Sequence, residues 1–185
     1  WSKCRDWMAR YDFDALLVPT RPEGNADVKW LTESNPEWVV FPRQGNPTAV
    51  YRLGDEDTGL ESFTGGGVKV QIGLLNRSQF VIDALKEAGI TSGRVGVGNL
   101  SGTLRDDEGG VSFTALTRIM QALPRLKIES ASDLLMRVKL ARGPEEIEAL
   151  RLSNRVGELG IKASVETAAP GVPQRDVWFA IAKAY

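Results

Sequence analysis

The sequence predicts an α/β domain built on a mainly parallel or mixed sheet with helices covering its faces, followed by a shorter, purely helical segment. Three observations carry that prediction. Apolar, β-rich runs of strand length alternate with segments of helical period as far as Ser130. Glycine and proline punctuate the changes of period. From Ser132 onward the pattern is helical and carries no further strand signal. The 185 residues, 42% hydrophobic and 25% charged, suit one domain of ~150 residues plus part of another.

Taken in order, Cys4, Trp7, Met8 and Tyr11 recur at the spacing that gathers them on one helix face, with Ser2 as the expected N-cap. The run DALLVP closes on Pro19, which cannot donate to a ladder and so marks the end of a buried strand. WVVFP and TAVYRL flank the turn-forming cluster Arg43, Gln44, Gly45, Asn46 and Pro47, and predict an antiparallel hairpin. An acidic loop (Asp55, Glu56, Asp57) and a glycine run lead to VKVQIG, which alternates as a strand does. Phe80, Val81, Ala84, Leu85 and Ala88 then follow a helical period that stops at Gly89. RVGVG is the next strand, Leu116, Ile119, Met120 and Leu123 mark a helix stopped by Pro124, and LKIES is the last strand.

The boundary is expected between residues 131 and 132, giving segments 1–131 and 132–185. Gly143, Pro144, Glu145 and Glu146 make a strong helix start, since proline suits the first helical position and carboxylates suit the positive end of the dipole. Leu152, Val156, Leu159 and Ala163 give that helix an apolar face; PGVP breaks it, and a second helix from Gln174 carries Val177, Ile181 and Ala184. Two such faces without a sheet cannot complete a core, so this segment reads as the opening of a larger domain.

Composition narrows the chemistry. Twenty-three Lys and Arg against 24 Asp and Glu leave a net charge of -1, without the basic excess that a nucleic-acid surface needs. The absence of histidine removes the Ser-His-Asp triad, every His-containing zinc site and the commonest general base. One cysteine, Cys4, permits neither an internal disulfide nor a paired-thiolate metal site, and suits a cytoplasmic location. The longest apolar run, VWFAIA, is far below the ~20 residues of a membrane span. The opening on Trp1 instead of Met, with no signal-peptide pattern, reads as a trimmed fragment.

Individual motifs have plain structural explanations. GVGNLSG follows a strand but places Ser101 where a GxGxxG loop needs its third glycine, so it reads as a strand exit. Asp106, Asp107 and Glu108 lack the spacing of a calcium loop, and Glu145, Glu146 and Glu148 serve a helix start. Cys4 sits on an apolar face without a base, which leaves it no route to a nucleophile. Two sequons, at Asn76 and Asn99, are common chance matches. Trp30 and Trp38 flank the polar stretch TESNPE and could stand at a groove, although core packing is the stronger explanation for both rings.

The stretch SASDLLMRVKLARGPEEIEALRLSNRVGELGIKASVETAAPGVPQRDVW resembles the junction of creatinase and Xaa-Pro aminopeptidase (prolidase-like) proteins. Arg137, Lys139, Glu146 and Ile147 answer in residue type and order, though not in spacing, to the family's R-x-x-K-s-x-x-E-I pattern, with Arg151 one turn on. Pro170 and Gly171 answer to the later pG-x-t-E, where Pro173 and Gln174 replace the common Thr and Glu. Upstream, DALLVP, NADVKWLTES and GRVGVGN are looser matches, Trp30 replacing a Tyr and Glu33 a Gly. The resemblance implies an N-terminal α/β domain with a ribonuclease H-like mixed sheet, followed by the truncated helical start of a pita-bread catalytic domain. In that family two divalent metal ions (Mn, Co or Zn) are held by two Asp, one His and two Glu and activate a water. Those ligands are expected beyond Tyr185, so no catalytic or metal-binding residue carries over and no cofactor is expected in this chain. What remains is a non-catalytic part that shapes access for a peptide substrate and supports a homodimer, with Trp30, Asn35 and Trp38 as candidate substrate-binding residues at a neighbouring subunit's site. Non-peptidase creatinase-type enzymes and metal-free, protein-binding relatives are the alternatives.

Overall fold

A computed structural model describes residues 1–20, 26–52, 68–73, 76–102 and 109–185. These divide into two compact units, Trp1–Lys139 and Leu140–Tyr185. The acidic loop 55–57, the glycine run after it and the cluster 106–108 lie outside the described residues.

The first unit runs α1 (Ser2–Tyr11), β1 (Ala15–Pro19), α2 (Ala26–Thr32), β2 (Trp38–Pro42), β3 (Thr48–Arg52), β4 (Lys69–Gly73), α3 (Arg77–Glu87), β5 (Ser92–Val97), α4 (Phe113–Ala122), β6 (Arg125–Ser130) and α5 (Ser132–Leu140). Its sheet has six strands in the order β4-β3-β2-β1-β5-β6. Strand β2 lies antiparallel to both β1 and β3, while the β1–β5, β3–β4 and β5–β6 pairs are parallel. The expected hairpin is therefore present, with Trp38 opposite Val50 and Val40 opposite Thr48. The expected mixed α/β architecture is present with it.

Burial on both faces explains why the central strands read as continuous apolar runs. Leu17, Val40, Val50, Val95 and Val97 meet Val81 and Leu85 of α3 and Ile119 of α4 on one face. Leu16, Val18, Val39 and Phe41 meet Cys4 and Met8 of α1, Val28 and Leu31 of α2, and Leu134, Leu135 and Val138 of α5 on the other. The packing thus places α5 in the first unit, whereas the sequence expectation started the second segment at 132. Its polar side is tied down as well: Lys139 pairs with Asp27, and Asp133 accepts from Tyr11 and from Arg137 Nε at 2.8 Å.

Two local details differ from the sequence expectation. Trp1, not Ser2, is the N-cap of α1, and it makes no side-chain cap bond. Helix α2 was not anticipated at all; it has seven residues and buries Val28, Leu31 and Thr32. The GVGNLSG segment is a strand exit, as expected: Gly98 N–H donates to Leu17 O at 2.8 Å, and buried Asn99 donates to Pro19 O at 3.3 Å.

The second unit contains α6 (Pro144–Thr167) and α7 (Gln174–Ala184), packed on each other. Glu146 accepts from Gly143 N at 2.8 Å, tying down the expected start of α6. The Leu152, Val156 and Leu159 stripe of α6 is not covered by α7 and stays exposed, as expected of a face that this segment cannot bury by itself. Instead Gly160 is buried beneath the Tyr185 ring, and Val177 and Ile181 of α7 are half-buried. Glycine suits that position because it leaves room for the Tyr185 ring; a Cβ on Gly160 would fall 2.5 Å from the Tyr185 hydroxyl.

Candidate functional site

In open α/β sheets, ligands bind beyond the carboxyl ends of the parallel strands. Here that edge holds a cavity of about 440 Å³. Trp38 opens β2 directly opposite Pro19, the last residue of β1, and Arg52 is the last residue of β3. Both line the cavity, together with Asn76, Arg77 and Ser78 at the start of α3 and Ser112, Thr114, Ala115 and Arg118 from the start of α4. A neighbouring hollow of about 510 Å³ shares Asn76, Ser78 and Arg118 and continues along the α3–α4 seam past Gln79, Ile82 and Gln121.

The electrostatics of this edge follow from its inventory. Three guanidinium groups line the cavity, and no carboxylate does among the described lining residues. Arg77 is matched by Glu37, with Nη1 donating to Oε1 at 2.7 Å and Nε 2.5 Å from Oε2, a two-pronged geometry suited to a carboxylate. Arg118 Nη1 donates to Asn76 Oδ1 at 3.3 Å, a neutral partner that leaves its charge uncompensated. Because that amide oxygen serves Arg118, it does not cap α3, whose start has no side-chain cap. Ser112 does cap α4, accepting from Ala115 N at 3.4 Å. Neither helix carries an acid in its first turn, and α3 begins on Arg77. Both positive helix ends therefore add to the arginine charge at this edge.

The three sequence-predicted residues are not brought together. Trp30, on α2, is half-buried against the layer formed by α1, α2 and α5. Trp38 is 7% exposed and belongs to the opposite layer, where its buried ring forms part of the cavity wall. Asn35, half-buried, lies between them in the segment where Ser34 and Tyr51 share a buried hydroxyl–hydroxyl hydrogen bond. Sequence reasoning missed Arg52, Arg77 and Arg118. Only their common position just after a strand or near a helix start could have flagged them.

Cys4 is buried, and burial pushes its thiol pKa up to about 12, which leaves it protonated and unreactive in the folded chain. Among the described residues no three Cys, Asp or Glu side chains gather as a metal site, and the sequence holds no histidine. The described residues thus do not fit a two-metal hydrolase centre.

No family model matches the chain. Creatinase from Bacillus sp. (strain B-0618) is 26% identical over 180 residues, which is 95% of this chain and 41% of creatinase. The Xaa-Pro dipeptidase from Bacillus anthracis superimposes with a TM-score of 0.69 at 12% identity, over 99% of this chain and 47% of the dipeptidase. A proline dipeptidase chain from Streptococcus pneumoniae matches with a TM-score of 0.55 at 14% identity, over 76% of this chain and 97% of that one. The chain thus spans less than half the length of creatinase and of the Bacillus anthracis dipeptidase. At these identities the structural likenesses are likenesses of fold. Over nearly its whole length the chain is thus similar in sequence to part of creatinase and in fold to part of the Xaa-Pro dipeptidase.

Proposed function

We propose that this chain is the non-catalytic N-terminal portion of a metal-dependent hydrolase of the Xaa-Pro aminopeptidase or dipeptidase type, where it shapes substrate access and supports a homodimer. The observation that carries the reading is the pairing of near-complete coverage of this chain with under half coverage of creatinase and the dipeptidase. In this reading the divalent ions and their ligands belong to the catalytic portion, the substrate is a peptide, and the protein works in the cytoplasm. The stretch from Trp30 to Trp38, with Asn35 at its half-buried middle, is the part that borders the substrate path of a neighbouring subunit.

A creatinase-type reaction is the second reading, favoured by one observation: the creatinase alignment reaches 26% identity, against 12% and 14% for the two dipeptidases. The shared part of both readings is tested on the chain itself, supplied with Mn²⁺, Co²⁺ or Zn²⁺ and offered either an Xaa-Pro dipeptide or creatine. No turnover and a dimeric mass by light scattering are expected. Chelator-sensitive hydrolysis of either compound overturns the non-catalytic assignment, and a monomer at all concentrations overturns the role in dimerisation.

A further inference from the structure

The geometry points to an oxyanion-binding site in the cavity at the carboxyl edge of the sheet, formed by Arg52, Arg118 and the starts of α3 and α4, for a phosphate or carboxylate group. The inference stands independently of the proposed hydrolase role, because the cavity lies wholly within the first unit and needs no catalytic portion.

The charge balance argues for it. Of the three arginines that line the cavity, Arg77 is already engaged by Glu37. Arg118 is held by an uncharged amide oxygen, and the described residues give Arg52 no ion pair. Two guanidinium groups thus face one hollow of about 440 Å³ without a counter-charge among its described lining residues. Arginine's flat fork of donors suits the oxygens of a phosphate or carboxylate. The surroundings reinforce this: Ser78, Ser112 and Thr114 bring hydroxyls to the same wall, and two helix N-termini add partial positive charge. Trp38, nearly buried, also lines the cavity and lowers the local dielectric, which strengthens ionic contacts made beside it. A volume of this size exceeds what one small anion needs, so the group bound is expected to be the charged end of a small molecule.

The test is an amide and arginine side-chain NMR titration of the 185-residue chain with inorganic phosphate, with succinate and with chloride, all at constant ionic strength. Saturable shifts are expected at Ser78, Ala115 and the Arg118 Nε, in the millimolar range for phosphate, succinate or both, and not for chloride. Saturation by phosphate alone identifies a phosphoryl ligand, and saturation by succinate alone a carboxylate. Arg118→Gln and Arg52→Gln should each weaken binding at least about fivefold, since a charge-assisted contact is lost. Arg125→Gln, at the opposite edge of β6, should leave it unchanged. Both cavity arginines are exposed, so these variants retain the core; Arg118→Lys, which keeps charge and loses the fork, should give an intermediate loss. Shifts that rise linearly and equally for all three salts, or binding undiminished in both cavity variants, would overturn the site.

Discussion

Replacing Leu134 by alanine tests whether α5 is part of the first unit or the start of the next. Leu134 is 0% exposed and shares its layer with Cys4, Met8, Leu16 and Val18. Removing a fully buried leucine side chain costs the lost transfer energy plus a cavity term, together about 2–5 kcal/mol. In a unit of this size each kcal/mol lowers Tm by a few degrees, so a fall of roughly 8–15 °C is expected. Tryptophan fluorescence is a suitable probe, because Trp1, Trp7, Trp30 and Trp38 lie in the first unit and only Trp178 in the second. Leu152→Ala supplies the contrast: that residue is 60% exposed on α6, and its loss should stay within about 0.5 kcal/mol. Equal shifts for the two variants would show that α5 does not seal the sheet, and the argument from burial would fail.

Three further outcomes follow from the packing and the charges. Gly96→Ala should destabilise by about 1–3 kcal/mol in urea titrations, because a Cβ there falls 2.8–2.9 Å from Phe13, Ala131 and Leu16; an unchanged midpoint would mean the strand has room to shift. Cys4 should resist a thiol reagent at pH 8 in the native chain and react fully once the chain is unfolded, and rapid native labelling would contradict its burial. The Glu129 carboxyl is held below its usual range, first by its hydrogen bond from Arg94, so its stabilising effect is present above the unfolded value and fades as pH falls through the folded one. Glu129→Gln should therefore lower the urea midpoint at pH 7 and much less at pH 3; an equal gap at both would assign the loss to packing.

Where side-chain periodicity and punctuation agree, the sequence was legible. DALLVP, the WVVFP–TAVYRL hairpin, the α3 stripe ending at Gly89 and the Pro144 start all appear where local rules put them. Helix α2 escaped notice because seven residues barely complete two turns, although Val28, Leu31 and Thr32 carry the i, i+3, i+4 signal. The stripe on α6 was legible as a face that seeks cover and stays exposed, whereas the seat of Tyr185 over Gly160 was not, because a glycine carries no hydrophobic signal. The arginine-lined cavity was invisible because Arg52, Arg77 and Arg118 are brought together only by the order of strands in the sheet, a non-local property that no window of sequence contains.

The shared layer of α1 and α5 sets an order of events during synthesis. Cys4 and Met8 are buried partly by Leu134, Leu135 and Val138, residues made roughly 130 positions later. At ribosomal speeds of about 5–20 residues per second, α1 waits roughly 6–26 s for the element that completes its cover. A ten-residue helix is marginal by itself in water, so during that interval the side of its layer that α5 seals stays open. A nascent chain stalled before α5 is therefore the form most exposed to chaperones and proteases, and one stalled after it has the means to close.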